Sequence, residues 1–255
     1  MTDANRTNIL ERLTVVLSRP AYAGNVGAVA RVLANFGVRR CILVAPRCDI
    51  NSLEARQYAT GHSSVVLATM ETVKNLSDTL SDANIVIAVT RRTGQMRQPT
   101  IALHDIAGRL RAGKVTLVFG PEESGLTDQD VQLCTNILTL DVSPTMASLN
   151  LSHAVAVVLS HVFSQLSAVP TETSEANLGR VVENLPSDSN NSVILAHEFQ
   201  NLCRRLQDAL RHSEASGRIA NADRLARILS QTLAKADLDR SELAAWHGLI
   251  SAIND

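Results

Sequence analysis

The sequence predicts an α/β chain built on a mostly parallel sheet with helices on both faces. Three observations carry this. Short apolar runs recur at Leu13–Leu17, Cys41–Ala45, Ile85–Val89, Val115–Phe119 and Ile137–Leu140. Each is largely apolar rather than alternating, as strands buried on both faces are. Segments of helical spacing separate them, the order of βαβ units rather than of hairpins.

The chain is organised around Val115–His161. Its two runs, Thr116–Phe119 and Ile137–Leu140, each open into an irregular segment. The first is Gly120-Pro121-Glu122-Glu123-Ser124-Gly125. The second is Val142–Ala147, followed by Ser148-Leu149-Asn150. Ligands of open α/β sheets sit outside the carboxyl ends of the strands, so the two loops are expected to share one composite pocket.

The elements follow in order. Leu13–Leu17 leads into a loop punctuated by Pro20 and Gly24. Asn25 is expected to cap a helix carrying Val26, Val29, Ala30, Leu33 and Phe36, with Gly37 as its stop. Cys41–Ala45 ends at Pro46. A helix over Ser52–Ala59 precedes Thr60-Gly61-His62 and the β-branched run Val65-Val66-Leu67. Glu71–Leu80 is expected to be helical, and Ile85–Val89 opens into the basic loop Thr90–Pro99. Helices are expected over Leu103–Arg111 and Asp128–Cys134. Ser148–Leu166 is apolar on most faces, which requires burial in the core or in a subunit interface. Ser167–Ser192 dissolves into Ser, Thr, Glu, Asn and Pro, the composition of a linker. Three amphipathic helices follow, about 193–212, 221–235 and 239–252, the last with Trp246. The expected domains are 1–166, a linker 167–192 and a small all-helical extension 193–255.

Composition narrows the function classes. The chain of 255 residues is 45% hydrophobic but only 3% aromatic, so Leu, Val, Ala and Ile must build its core. No apolar run reaches the roughly 18 residues of a membrane span, and no membrane partner is expected. The opening MTDANRTNILER lacks the apolar segment of a secretion signal, so a cytoplasmic location is expected. Of Cys41, Cys48, Cys134 and Cys203, three fall in apolar runs or predicted helices and read as core thiols, and no pair has the CxxC spacing of a disulfide or zinc site. A net charge of −1 argues against a general polyanion binder. Yet residues 1–120 hold 15 Lys and Arg against 8 Asp and Glu, whereas 121–200 hold 1 against 10. A basic first half suits phosphates, or is simply a solvated surface.

Ready-made chemistries are absent. Gly24-Asn25-Val26-Gly27 lacks the full GxGxxG spacing, and no GxxxxGK[ST] occurs. His197-Glu198-Phe199-Gln200-Asn201 ends in Asn where HExxH needs His. Ser124 stands in EESG rather than GxSxG. The seven histidines are dispersed, and no metal is expected. What remains are polar residues at strand ends: Asn25, Arg31, Glu122, Ser148 and Asn150. Asn25 and Arg31 fall about 240° apart on an ideal helix, so by itself Arg31 reads as a surface arginine.

Three blocks nevertheless match a known pattern. Asn25-Val26-Gly27-Ala28-Val29-Ala30-Arg31 with Phe36-Gly37 fits N-x-G-x-x-x-R followed by FG. Phe119-Gly120-Pro121-Glu122-Glu123-Ser124-Gly125-Leu126 fits FG-x-E-x-x-GL. Ser148-Leu149-Asn150 fits SLN ahead of an apolar helix. In order and separation the blocks resemble the SpoU branch of the SPOUT methyltransferases. With its helical extension the chain is similar to the TrmJ-type tRNA 2′-O-ribose methyltransferases.

The resemblance implies a deep trefoil knot in the C-terminal part of the α/β domain, a homodimer and a bent S-adenosylmethionine. The donor's cradle would be Thr90, Arg91, Arg92, Gly120, Leu140, Met146, Ala147, Ser148 and Leu149. It implies that Arg31 is essential to transfer onto a ribose 2′-hydroxyl, with Asn25, Glu122, Ser148 and Asn150 shaping the site. Arginine is an awkward base at a pKa above about 12. The substrate implied is tRNA, at nucleotide 32 of the anticodon loop; rRNA, or an RNA-binding knot protein without activity, are the alternatives. Thr145-Met146-Ala147 departs from the tyrosine and small residues of TrmJ-type chains, and Arg91-Arg92 replace small residues. The RNA surface is expected at Arg19, Arg39, Arg40, Arg92 and Arg97.

Overall fold

A computed structural model describes residues 2–91, 98–146, 148–167, 194–215, 220–236 and 238–254. Its sheet has six strands, all parallel: β1 (Leu13–Ser18), β2 (Arg40–Val44), β3 (Glu71–Val73), β4 (Ile85–Val89), β5 (Val115–Phe119) and β6 (Asn136–Leu138). Their order across the sheet is β3-β2-β1-β5-β4-β6. The central strands β1 and β5 are buried along their whole length, which is why their sequences show no polar alternation. In register, Val15 faces Cys41 on one side and Leu117 on the other.

The order has a functional consequence. From β1 the chain moves outward through β2 to β3. From β5 it steps over β4 to β6. The loops that leave β1 and β5 therefore diverge at their shared edge, the topological switch point where open sheets form a crevice.

One face is covered by α2 (Ala23–Asn35), α5 (Ile106–Ala112) and α7 (Leu151–Ser167), with α1 (Asp3–Leu10) beside them. On that face α7 buries Leu151, Val155, Val158, Leu159, Val162 and Leu166, and it meets α2 where Phe163 and Phe36 stack tilted at 5.7 Å. α2 also packs on α3 (Leu53–Tyr58) and α4 (Ser63–Ala68). The approach to α3 is close enough to dictate a residue. A Cβ on Gly27 would stand 2.1 Å from the Ala55 carbonyl oxygen. The glycine of the first block is thus a packing glycine.

The second face holds Val16, Ile42, Val86, Val118, Leu126 and Ile137, with α6 (Asp128–Gln132) beside them. Against it lies the start of α8 (Ala196–Ala215), which with α9 (Ala222–Lys235) and α10 (Arg240–Asn254) shares a separate small core of Leu202, Leu206, Leu233, Leu243 and Ile250. Ala196 is fully buried in the second-face core, and its N–H donates to the Ala83 carbonyl at 2.7 Å. Asn84 holds the same junction: its Nδ2 donates to the Ile194 carbonyl and its Oδ1 accepts from Lys114 N–H.

Several expectations need correction. Glu71–Leu80 is not a helix: Glu71–Val73 is the edge strand β3, followed by a 3-10 turn over Leu76–Thr79. Asn75 and Asp78 close a reciprocal capping box there, and the spacing of Leu76 and Leu80 reflects two residues buried under one turn. Val65-Val66-Leu67 lies in α4. Leu103–Arg111 divides into a 3-10 turn, Leu103–Asp105, and α5. The last strand stops at Leu138, and α7 starts at Leu151 rather than Ser148. Asn25 does not cap α2, because the helix starts at Ala23 with Tyr22 at its cap position. Most of the linker, 168–193, lies outside the described residues.

We expect Gly27→Ala to lower stability by about 1–3 kcal/mol, since backbone must move to admit the methyl group. Gly108, in α5, has open space at its Cβ position. Gly108→Ala should instead raise stability by up to about 1 kcal/mol. Urea denaturation of both variants checks the contrast.

Candidate active site

Glu122 joins the loops after β1 and β5. Its Oε2 accepts from the Ala21 backbone N–H at 3.0 Å, and its Oε1 accepts from Asn25 Nδ2 at 2.8 Å. Asn25 Oδ1 in turn accepts from Asn150 Nδ2 at 2.9 Å. Asn150 Oδ1 accepts from the N–H and the hydroxyl of Ser152, at 2.9 and 2.8 Å, and so caps α7. The direction of this chain is forced. A carboxylate only accepts and a backbone N–H only donates, so the two amides between them have one orientation each. One residue from each of the three sequence blocks is thereby held in a single hydrogen-bonded line.

The loop between Gly120 and Leu126 is shaped to offer Glu122. A Cβ on Gly120 would lie 2.3 Å from the Leu126 nitrogen, so the loop folds back on its own start. Gly125 takes φ +66 and donates its N–H to the Pro121 carbonyl. Beyond it, Thr127 and Asp130 close the capping box of α6.

Asp130 does a second task that the sequence reading missed. Its carboxylate takes both Nη1 and Nη2 of Arg19, whose backbone sits at φ 51. Burial works against the Asp130 charge, but hydrogen bonds from Arg19 and Thr127 outweigh it and hold the carboxyl below its usual range. Thr127-x-x-Asp130 ahead of an apolar stretch is a capping signature and could have flagged the residue. Tyr22 was missed as well: its hydroxyl donates to Glu123 Oε1 at 2.6 Å, which raises the phenol's pKa.

The other expected residues are placed as follows. Arg31 is exposed on α2, two turns beyond Asn25, and makes no hydrogen bond or ion pair among the described residues. Ser148 and Leu149 are exposed just ahead of α7. Thr90 ties the ends of β4 and β6: its N–H donates to the Leu138 carbonyl, and its carbonyl accepts from Thr139 Oγ1. Leu140 is half-buried, Arg91 is exposed, and Met146 ends a 3-10 turn over Pro144–Met146. Arg92, Arg97 and Ala147 lie outside the described residues. The expected RNA surface is not brought together. Arg39 and Arg40 stand at the amino end of β2, paired with Glu11 and Asp82, while Arg19 is committed to Asp130. Among the described residues no cluster of His, Cys, Asp and Glu could hold a metal ion. Burial pushes the Cys41 thiol up to about 12 and raises Cys134, as core thiols require.

The sequence profile of the SpoU rRNA Methylase family matches residues 12–160, the whole sheet and the first part of α7. The chain belongs to the SpoU rRNA methylase family. Similar members include the tRNA (cytidine-2'-O-)-methyltransferase TrmJ of Methanocaldococcus jannaschii, 30% identical over 158 residues, which are 60% of this chain and 68% of that one. The tRNA (cytidine/uridine-2'-O-)-methyltransferase TrmJ of Pectobacterium atrosepticum is 24% identical over 249 residues, 96% of this chain and 98% of that one. The crystal structure of TrmJ from Z. mobilis ZM4 has the same fold over 95% of this chain and 99% of that one, with a TM-score of 0.69 at 24% identity. The likeness of fold thus extends into the C-terminal helices. Family membership makes the chain an RNA methyltransferase, the enzyme class its three blocks implied.

The Asn25–Asn150 contact should show coupling. Asn25→Ala and Asn150→Ala are each expected to destabilise, and the double variant should fall short of their sum by about 0.5–3 kcal/mol. A double-mutant cycle in urea measures that difference.

Proposed function

We propose that the chain transfers a methyl group from S-adenosylmethionine to a ribose 2′-hydroxyl of tRNA, at nucleotide 32 of the anticodon loop. The observation that carries this reading is the line Glu122–Asn25–Asn150, which holds the three family blocks together at the switch point. The relatives named for tRNA 2′-O-methylation support tRNA over rRNA as substrate.

The donor's expected residues fit such a group. Thr90, Gly120 and Leu140 follow β4, β5 and β6, which are neighbours in the sheet, so their loops open side by side. Half-buried Leu140 and exposed Leu149 would supply apolar surface to the donor. When bound, the donor supplies an electrophilic sulfonium methyl that needs no further activation. The protein's task is to align the ribose and to handle one proton.

The side chains divide that task. Glu122 accepts one hydrogen bond on each oxygen and so orients Asn25 and the loop. Arg31, exposed and without a side-chain partner among the described residues, is the group free to meet a substrate phosphate or hydroxyl. Ser148, exposed ahead of α7, lies beside Asn150 and serves the same ribose.

The knotted path and the homodimer belong to the same proposal. β6 pairs with β4 on one side, and on the other it bonds the 99–101 segment: Ile137 N–H donates to the Pro99 carbonyl and Ile101 N–H to the Ile137 carbonyl. Both ends of the 90–100 connection therefore flank β6, the arrangement a chain threaded through that connection requires. The partly exposed apolar face of α7, including Val157, suits a subunit contact.

Arg31→Ala tests the mechanism. We expect methylation of unmodified tRNA to fall at least about 100-fold, the lower range for a lost proton-handling group. Stability should stay within about 0.5 kcal/mol, because the side chain is exposed and unpaired. Wild-type turnover by the variant would refute the role.

A further inference from the structure

Cations at the two ends of the sheet differ in what they do. Around the amino ends, Arg6 donates to Ser167 and Arg12 to the Arg111 carbonyl. Arg39 pairs with Glu11, Arg40 and Lys114 share Asp82, and Arg111 donates to the Gln165 carbonyl. These groups hold the fold. Past the carboxyl ends the pattern reverses. Arg47 follows β2, Arg56 lies on α3, Lys74 follows β3 and Arg91 follows β4. All four are exposed, and none makes a side-chain hydrogen bond or ion pair among the described residues. Arg19 is the exception there, held by Asp130.

The chain has only two tyrosines, and both stand at this end. Tyr22 is 49% exposed and Tyr58 53%. Tyr22 occupies the cap position of α2, where its hydroxyl bonds Glu123. Tyr58, on α3, is close enough to α2 that a Cβ on Gly24 would lie 3.1 Å from its Cε2. Both rings therefore border the turn that carries Asn25. Pro20 fixes the neighbouring loop, its carbonyl accepting from the Arg47 backbone N–H at 2.9 Å. Scattered exposed apolar residues need no explanation. Two half-exposed rings next to a ribose-directed site, with Arg47 on the adjoining loop, are another matter: that is the make-up of a surface for unstacked bases. Asp49 and Glu54 share the region, so the patch is no general polyanion trap. Ring faces, more than net charge, give it affinity.

We propose that Tyr22 and Tyr58, with Arg47 on the neighbouring loop, form the platform on which bases next to the target nucleotide stack. The proposal rests on the tRNA methyltransferase reading and adds the residues that grip the single-stranded loop. It also moves the RNA surface away from Arg39 and Arg40, at the far end of the sheet.

Binding of unmodified tRNA to the full chain, followed by fluorescence anisotropy over a series of salt concentrations, tests it. Tyr58→Ala should weaken binding roughly 5- to 150-fold, the range for one lost base stack. Tyr58→Leu, which keeps apolar cover over Gly24, should lose as much, and Tyr58→Phe should recover the affinity. The salt slope should be the same in all three, because no phosphate contact is removed. Arg47→Ala should instead lower that slope by about 0.7–0.9. Methylation by the wild type with undiminished tRNA affinity in Tyr58→Ala and Tyr58→Leu would overturn the platform and leave the enzyme reading intact. A wild type that neither binds nor methylates tRNA would overturn both. A change of oligomeric mass in Tyr58→Leu at unchanged tRNA affinity would reassign the patch to contact between copies of the chain.

Discussion

A carboxylate can only accept hydrogen bonds, and Glu122 stands where two diverging loops have donors to offer. It takes the Ala21 N–H and the Asn25 amide, and so fixes the start of α2 against the loop after β5. Its hold reaches further through Asn25 to Asn150, which caps α7. A helix on one face of the sheet, the loop that precedes it and the crevice at the switch point are thereby positioned by one anionic side chain. Charge-assisted bonds of this kind are stronger than neutral ones, and their geometry is one-way. The Arg19–Asp130 pair reinforces the same junction from the other side of the loop.

This arrangement explains why the blocks look as they do. Gly27 answers to packing, since α3 comes within contact of the α2 backbone. Gly120 answers to the fold-back of its own loop. Asn150 serves two purposes at once, as helix cap and as donor to Asn25. The residues with no such structural duty are Arg31, Ser148 and the unpaired cations past the carboxyl ends, and those are the ones available to a substrate.

The parallel sheet was legible because its strands are buried on both faces and their runs are unbroken. Short elements were not: β3 is only three residues of an edge strand, and Leu76 and Leu80 gave a helical spacing to a 3-10 turn. Asn25 does not cap α2 as its position suggested, because its side chain is taken up by Glu122 and Asn150. Charge counts, for their part, do not show pairing. Arg19, Arg39 and Arg40 are cations by sequence, yet each is held by a carboxylate. Distant partners such as Asp130 and Asp82 cannot be read from periodicity.

The central claim is that this crevice delivers a methyl group to one ribose of tRNA. Incubating the protein with isotopically labelled S-adenosylmethionine and unmodified tRNA, then mapping the labelled nucleotide, tests it most directly. The account predicts a single 2′-O-methylated ribose at nucleotide 32. Label on a base, label spread over many positions, or label only on rRNA offered in parallel would contradict it.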